Sequence, residues 1–157
     1  MKIIIFSDSH GAKNNLQRAL LKHPDAQVAL FCGDGAADFY SLADQPPQRR
    51  WIAVRGNCDP PDCRLALLES ADFGAFHTAI LHGHSHGVKW GDGGLYKLAQ
   101  EGNYQLIIHG HTHVPRSDYI PGDKPFYLFN PGAVRAGHYG LITIREHQIL
   151  LSHAKLS

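Results

Sequence analysis

The sequence predicts an α/β fold in which sheet strands are covered by helices on both faces. Six short apolar runs are continuous rather than alternating, and each run ends in a polar loop with glycine or potential ligands. Between several of the runs, apolar residues recur at helical spacing. Continuous apolar strands are typical of sheets buried on both faces, and ligands bind in such folds beyond the carboxyl ends of the strands. The length of 157 residues predicts a single domain over residues 1–157.

Three strand-and-loop units are predicted in the first half of the chain. Their apolar runs occupy residues 2–6, 27–32 and 51–54. A helix is expected after the first run, because Leu16, Ala19 and Leu20 follow at helical spacing. A weaker helical pattern over residues 37–42 follows the second run, and residues 45–50 form a surface turn around two prolines.

The second half repeats this organisation with different turns. Its apolar runs occupy residues 78–81, 105–108 and 127–129. Residues 140–144 and 148–152 are predicted to form a β-hairpin that closes the sheet. Segments 59–75 and 89–96 are candidates for a rim that recognises the non-reacting part of a substrate.

Charge and cysteine content bear on the partners and the compartment of the protein. The formal net charge is only +1, which favours neither a nucleic-acid partner nor a membrane surface. The apolar run near the N-terminus is too short for a signal-peptide core or a membrane span. Cys32, Cys58 and Cys63 are odd in number and lack a disulfide framework, which indicates reduced thiols. We therefore expect a cytoplasmic protein.

The polar loops together offer a set of metal-binding side chains. Two carboxylates, one amide and four imidazoles make up the set: Asp8, His10, Asp34, Asn57, His82, His111 and His113. Mixed oxygen and nitrogen ligands suit divalent Mn, Fe, Zn, Co or Ni, whereas structural zinc sites are usually rich in thiolates. Seven ligands are too many for one ion with an open position, so two ions that share a bridging carboxylate are expected.

Five ordered motifs resemble those of the calcineurin-like metallophosphoesterases, especially their small bacterial and archaeal phosphodiesterase branch, over residues 1–135. The motifs are Asp8-x-His10, Gly33-Asp34, Gly56-Asn57-Cys58-Asp59, His82-Gly83-His84 and Gly110-His111-Thr112-His113. The resemblance implies a four-layer α/β/β/α sandwich. It also implies hydrolysis of a small phosphodiester by a hydroxide that bridges two divalent ions. Manganese is the implied metal, with Zn, Fe, Ni, Co or Mg as alternatives.

The resemblance also implies how the ligands are divided between the ions. The first ion takes Asp8, His10, Asp34 and His113. The second ion takes Asp34, Asn57, His82 and His111, so that Asp34 forms the bridge. Asp59 is expected to support these ligands without binding an ion.

Candidate catalytic residues are Asn57, Cys58 and His84. Many relatives carry a histidine at the position of Cys58, where it contacts the phosphate or protonates the leaving group. The identity of the general acid therefore stays open, and His84 is the candidate for phosphate contact or proton donation. Attack by the Cys58 thiolate is less favoured, because a metal-bound hydroxide already supplies a nucleophile. His109 is expected to make a buried hydrogen bond.

Three alternative functions stay open at this point. The chain could be a phosphomonoesterase of the same fold, or a non-catalytic metal-binding scaffold like the eukaryotic retromer subunit. A metal buffer is a third possible function, but it would not explain Asp8, Asp34 and Asn57. The complete ligand set favours an enzyme. The sequence leaves the substrate and the oligomeric state open, with a homo-oligomer as one expectation.

Overall fold

Ten strands and three helices form the protein in the computed structural model, which describes all 157 residues. The strands are β1 (Lys2–Phe6), β2 (Val28–Phe31), β3 (Arg50–Ala53), β4 (Leu68–Phe73), β5 (Phe76–Leu81), β6 (Leu106–Ile108), β7 (Arg116–Ile120), β8 (Phe126–Asn130), β9 (His138–Arg145) and β10 (Gln148–Lys155). The helices are α1 (Lys13–Lys22), α2 (Ala36–Ala43) and α3 (Gly93–Gly102). No helix is both long enough and apolar enough to cross a membrane.

The strands form two mixed sheets of five strands each. The first sheet has the order β10-β9-β1-β2-β3, with β1, β2 and β3 parallel to one another. Strands β9 and β10 form a hairpin, and β9 pairs antiparallel with β1, so the predicted C-terminal hairpin is confirmed. The second sheet has the order β4-β5-β6-β8-β7, with parallel central strands and an antiparallel strand at each edge.

Side chains of β1 alternate between two buried layers, which explains why its apolar run is continuous. Ile3 and Ile5 join the core between the two sheets, whereas Ile4 and Phe6 pack under α1 and α2. Helix α3 covers the outer face of the second sheet through a third apolar cluster that includes Leu95. Each fully buried side chain of this size contributes roughly 1.5–3 kcal/mol. The layers are therefore α/β/β/α, as the resemblance implies.

Three elements lie where the sequence analysis predicted none. Strands β4 and β7 are the two edges of the second sheet, and helix α3 begins at two glycines. Strand β4 falls within segment 59–75, so part of this segment is an edge strand.

Carboxyl ends of strands from both sheets meet at one edge of the sandwich. The carbonyl of Cys32, just after β2, accepts a hydrogen bond from Nδ1 of His82, just after β5, at 2.6 Å. Asp8 follows β1 and donates its backbone N–H to the carbonyl of Gly33 at 2.9 Å. The polar loops of the two sheets therefore face each other.

Candidate metal centre

Asp8, His10 and His113 form the first group of facing ligand atoms, which all lie within 4.8 Å of one another. Nε2 of His113 lies 3.1 Å from Oδ1 of Asp8, and Nε2 of His10 lies 3.8 Å from the same oxygen. The other oxygen of Asp8 accepts hydrogen bonds from the Ser7 hydroxyl and the His111 backbone N–H. These bonds orient the buried carboxylate and leave Oδ1 facing the two imidazoles.

The second group surrounds Nε2 of His82. Three acceptor atoms lie close to this nitrogen: Asn57 Oδ1 at 3.1 Å, His111 Nδ1 at 3.1 Å and Asp34 Oδ2 at 3.2 Å. The bond from His82 Nδ1 to the Cys32 carbonyl requires a proton on Nδ1, so Nε2 is the nitrogen that can offer a lone pair to an ion. Four electron-pair donors that converge in this way fit a cation.

Asp34 lies between the two groups. Its Oδ2 is 3.2 Å from Nε2 of His82, in the second group, and 3.8 Å from Nε2 of His10, in the first group. Its Oδ1 accepts the backbone N–H of Cys58 at 2.8 Å. One carboxylate oxygen is thus fixed by the backbone, while the other is directed to both groups.

The protonation of Asp34 and His82 follows from their contact. Burial raises the pKa of Asp34, but the hydrogen bond from His82 and the Cys58 N–H outweigh burial and hold this pKa well below its usual range. Burial lowers the pKa of His82, but Asp34 and Asp8 outweigh it and raise this pKa. The contact thus favours the charged form of both side chains, and an ion bound at Nε2 of His82 would take the place of a proton there.

His111 carries a lone pair at neutral pH. Burial lowers its pKa to about 4, and the positive charges of His82 and Lys89 act in the same direction. A neutral imidazole is the form that binds a metal ion. His111 is therefore ready to act as a ligand.

Five of the seven predicted ligands have a left-handed backbone conformation. Their φ angles are positive, at Asp8 (57°), His10 (43°), Asp34 (62°), His111 (67°) and His113 (62°). Such a conformation costs a residue other than glycine about 1–2 kcal/mol. The surrounding fold must therefore hold these backbones in place.

Glycines beside the ligands are required for two different reasons. Gly33 has a φ of 92°, as expected for a sharp turn at a strand end. Gly56 and Gly110 have no such φ, and close approach is what requires glycine there. A Cβ on Gly56 would lie 2.0 Å from Asp34 Oδ1, and one on Gly110 would lie 1.8 Å from the Ser7 hydroxyl.

Asp59 and Asn130 hold the ligand loops in place. The buried carboxylate of Asp59 accepts four backbone N–H groups at 2.8 Å, from Asp34, Gly35, Ala36 and Gly56. Asn130 is fully buried and donates to the Gly110 carbonyl and the Thr112 hydroxyl, both at 3.0 Å. These bonds give Asp59 the supporting role that was expected from the sequence. Ser7 was not predicted, although its position next to Asp8 was the available signal.

The candidate catalytic residues border the two groups. The Cys58 sulfur belongs to a third set of facing atoms with His10 and Asp34, within 4.8 Å. Burial and the carboxylate of Asp34 raise the pKa of Cys58, so the ion-free protein holds a thiol there. The ring centroid of His84 lies 5.4 Å from that of His82. Burial, followed by the charge on His82, lowers the pKa of His84.

His109 lies outside both groups. Its side chain is 2 % exposed, and its Nδ1 lies 3.0 Å from the Gly110 carbonyl. Burial lowers its pKa to about 4, so the ring is neutral at pH 7. The structure thus gives His109 the buried hydrogen bond that the sequence analysis expected.

Known proteins share both the sequence and the fold of this chain. Residues 1–149 match the family profile of the calcineurin-like phosphoesterase superfamily domain. The probable metallophosphoesterase YsnB of Bacillus subtilis is 32% identical over 137 residues, which are 86% of this chain and 76% of the relative. The phosphodiesterase MJ0936 of Methanocaldococcus jannaschii is 27% identical over 128 residues, which are 72% of this chain and 74% of the relative.

Solved structures support the same fold. A predicted phosphoesterase of Streptococcus pneumoniae superposes with a TM-score of 0.79 at 21% identity, over 98% of this chain and 88% of the other. Zinc-bound Vps29 of Entamoeba histolytica gives a TM-score of 0.70 at 20% identity, over 99% of each chain. Since the family profile matches nearly the whole sequence and the sandwich matches these structures, the chain belongs to the calcineurin-like phosphoesterase superfamily.

Proposed function

We propose that this phosphoesterase is a phosphodiesterase that hydrolyses a small diester at a centre of two divalent ions. One observation carries the proposal: Oδ2 of Asp34 faces His82 at 3.2 Å and His10 at 3.8 Å, in two separate groups of ligand atoms. A shared carboxylate is the usual bridge of two-ion hydrolases. The preference for diesters is supported by MJ0936 of M. jannaschii and by an archaeal protein of similar structure, which are both described as phosphodiesterases.

The ligand assignment follows the two groups. The first ion would be held by Asp8, His10, Asp34 and His113. The second ion would be held by Asp34, Asn57, His82 and His111. When bound, two such ions lower the pKa of water and stabilise charge on the phosphate oxygens. The oxygen and nitrogen donors suit manganese, and Zn, Fe, Ni, Co and Mg are the ions to compare with it.

Protein side chains supply the remaining chemistry. The Cys58 thiol keeps its proton in the ion-free protein and lies beside Asp34, so its sulfur is a candidate donor to a leaving oxygen. His84 is neutral at pH 7 and lies beside His82, where its ring can accept or donate a hydrogen bond to a phosphate oxygen. A good leaving group needs little proton assistance, which suits activated diesters.

We propose a cytoplasmic site of action, which the odd number and the spacing of the cysteines in the sequence favour. No two of Cys32, Cys58 and Cys63 form a disulfide. We propose that residues 1–157 act there as one phosphoesterase domain.

Replacement of Asp34 tests the proposal directly. Asp34→Asn removes the charge that both groups share, so bound metal and hydrolysis of bis-p-nitrophenyl phosphate should fall together, each by about 100-fold. Asp44→Asn is the matched control, since Asp44 is exposed at the end of α2. Metal content is measured by elemental analysis and hydrolysis by release of p-nitrophenolate.

The same assays separate the alternatives. Full activity of Asp34→Asn would refute the two-ion centre. Faster hydrolysis of p-nitrophenyl phosphate than of the bis ester by the same loaded enzyme would identify a monoesterase. A fully loaded protein that cleaves neither ester would instead support a binding scaffold, the role implied by the resemblance to the retromer subunit.

A further inference from the structure

Trp90 presents its indole ring to solvent on the segment that follows the predicted ligand His82. The side chain is 94% exposed, more than any other large hydrophobic residue of the chain. It lies in the segment 83–94, which connects His82 to helix α3 and carries His84 on a single 3-10 turn. This segment overlaps the rim that the sequence analysis placed at residues 89–96.

The segment that carries Trp90 is fixed at both ends. At one end Val88 is buried against Gly83, where an added Cβ would lie 2.9 Å from a Val88 methyl group. At the other end the carboxylate of Asp92 accepts two hydrogen bonds from the Arg116 guanidinium, at 2.7 and 2.8 Å. Between them the Trp90 backbone N–H donates to the Gly87 carbonyl at 2.9 Å. Binding to the indole therefore requires little ordering of the loop.

The Asp92–Arg116 ion pair joins this segment to the loop that follows His113. Val114, which comes directly after His113, is 61% exposed. Asp92 and Asp118 together neutralise Arg116, whereas the neighbouring Lys89 is exposed and forms no ion pair. The positive charge of Lys89 lowers the pKa of His111, after burial and the charge of His82. The ion pair thus links the segment that carries Lys89 and Trp90 to the loop between His113 and β7.

We propose that Trp90 stacks against a planar aromatic group on the non-reacting side of the substrate, which assigns the substrate class as phosphodiesters of nucleosides or of other aromatic alcohols. An indole face binds a planar base without reading its edge, and the Lys89 ammonium attracts the attached phosphate. A protein partner would require a broad apolar patch, but Trp90 is followed by Gly91, Asp92 and Gly93. The proposal depends on the phosphodiesterase function proposed above.

Two diesters with the same leaving group test this assignment. Thymidine 5′-(p-nitrophenyl phosphate) carries a base on its non-reacting side, whereas methyl p-nitrophenyl phosphate carries none. Trp90→Ala should lower kcat/KM for the thymidine ester by about tenfold or more, mainly through KM. The methyl ester should change by less than about twofold, and Trp90→Phe should restore most of the difference. Leu150→Ala, which removes an exposed side chain on β10, is the matched control.

A binding measurement separates this proposal from the proposed function. Thymidine 5′-monophosphate should quench the indole fluorescence of the wild type, and this quenching should be lost in Trp90→Ala, which retains Trp51. If the wild type hydrolyses neither ester but the quenching is present, the function fails and the aromatic site stands. Equal effects of Trp90→Ala on both esters, or no effect on either, would overturn the stacking role. Self-association that disappears in Trp90→Ala would also overturn it.

Discussion

Replacement of Asp59 by asparagine tests whether this carboxylate holds the ligand loops together. Asp59 binds no ion in the proposed assignment, but it accepts backbone N–H groups from the loop of Asp34 and from the loop of Gly56. Asparagine has nearly the same shape and volume. The substitution therefore changes the charge and the hydrogen-bonding pattern while the packing is retained.

The magnitude follows from the four hydrogen bonds. The side-chain oxygen of asparagine can keep two of the four backbone donors, whereas its NH₂ group faces the other two and cannot accept from them. Two lost bonds to a charged acceptor, at about 1.5 kcal/mol each, give a loss of about 3 kcal/mol in the free energy of unfolding. Because the loop of Asp34 loses its fixed position, metal affinity should also fall by about tenfold or more.

Urea unfolding of the metal-free protein measures the first effect, and titration with manganese measures the second. Asp62→Asn is the matched control, because Asp62 lies three residues away and is exposed. It should change the unfolding free energy by no more than about 0.5 kcal/mol. If Asp59→Asn changes stability and metal affinity as little as this control does, the bracing role of Asp59 is refuted.

Two further predictions concern a close contact and a buried histidine. Gly56→Ala should destabilise the protein by about 1–3 kcal/mol and weaken metal binding, because its Cβ would overlap Asp34 Oδ1. Gly93→Ala, which meets nothing within 4 Å, is the control in thermal unfolding and metal titration, and equal effects of both would contradict the overlap. The pKa of His109 is about 4 in the folded protein and 6.5 ordinarily, so the unfolded state binds a proton first as the pH falls. The contribution of His109 to the free energy of unfolding is therefore highest above pH 6.5, and it falls by about 3 kcal/mol as the pH approaches 4. His109→Gln should flatten the stability curve of metal-free protein between these pH values, and an unchanged slope would show that His109 does not titrate there.

The sequence predicted the central strands well because they are buried on both faces. Strands β1, β2, β5, β6 and β8 consist mainly of apolar residues, which leave a nearly continuous signal in the chain. The edge strands of the second sheet leave no such signal. Glu69 and Ser70 in β4 are exposed, and β7 alternates half-buried and exposed residues, so neither strand resembles a core strand. Their pairing depends on neighbours that are distant in sequence.

The candidate site was predictable to the level of residue types and order. Asp8, Asp34 and His82 stand in short motifs directly after apolar runs, so the topology of parallel strands brings them together. Local patterns contain no information on the left-handed backbones of the ligands or on the four donors that converge on Asp59. Those features arise only when loops from separate strands pack against each other.

The division of ligands between the two sheets has a consequence for the order in which the protein assembles. All seven predicted ligands precede residue 114, but the first sheet is complete only when β9 pairs with β1, as Ile142 does with Ile3. During synthesis, all seven ligands are therefore made before the hairpin of β9 and β10, which pairs with β1, the strand that precedes Asp8. We expect ion uptake to follow emergence of residues 138–155, so that a bound ion marks a chain whose two halves have already docked.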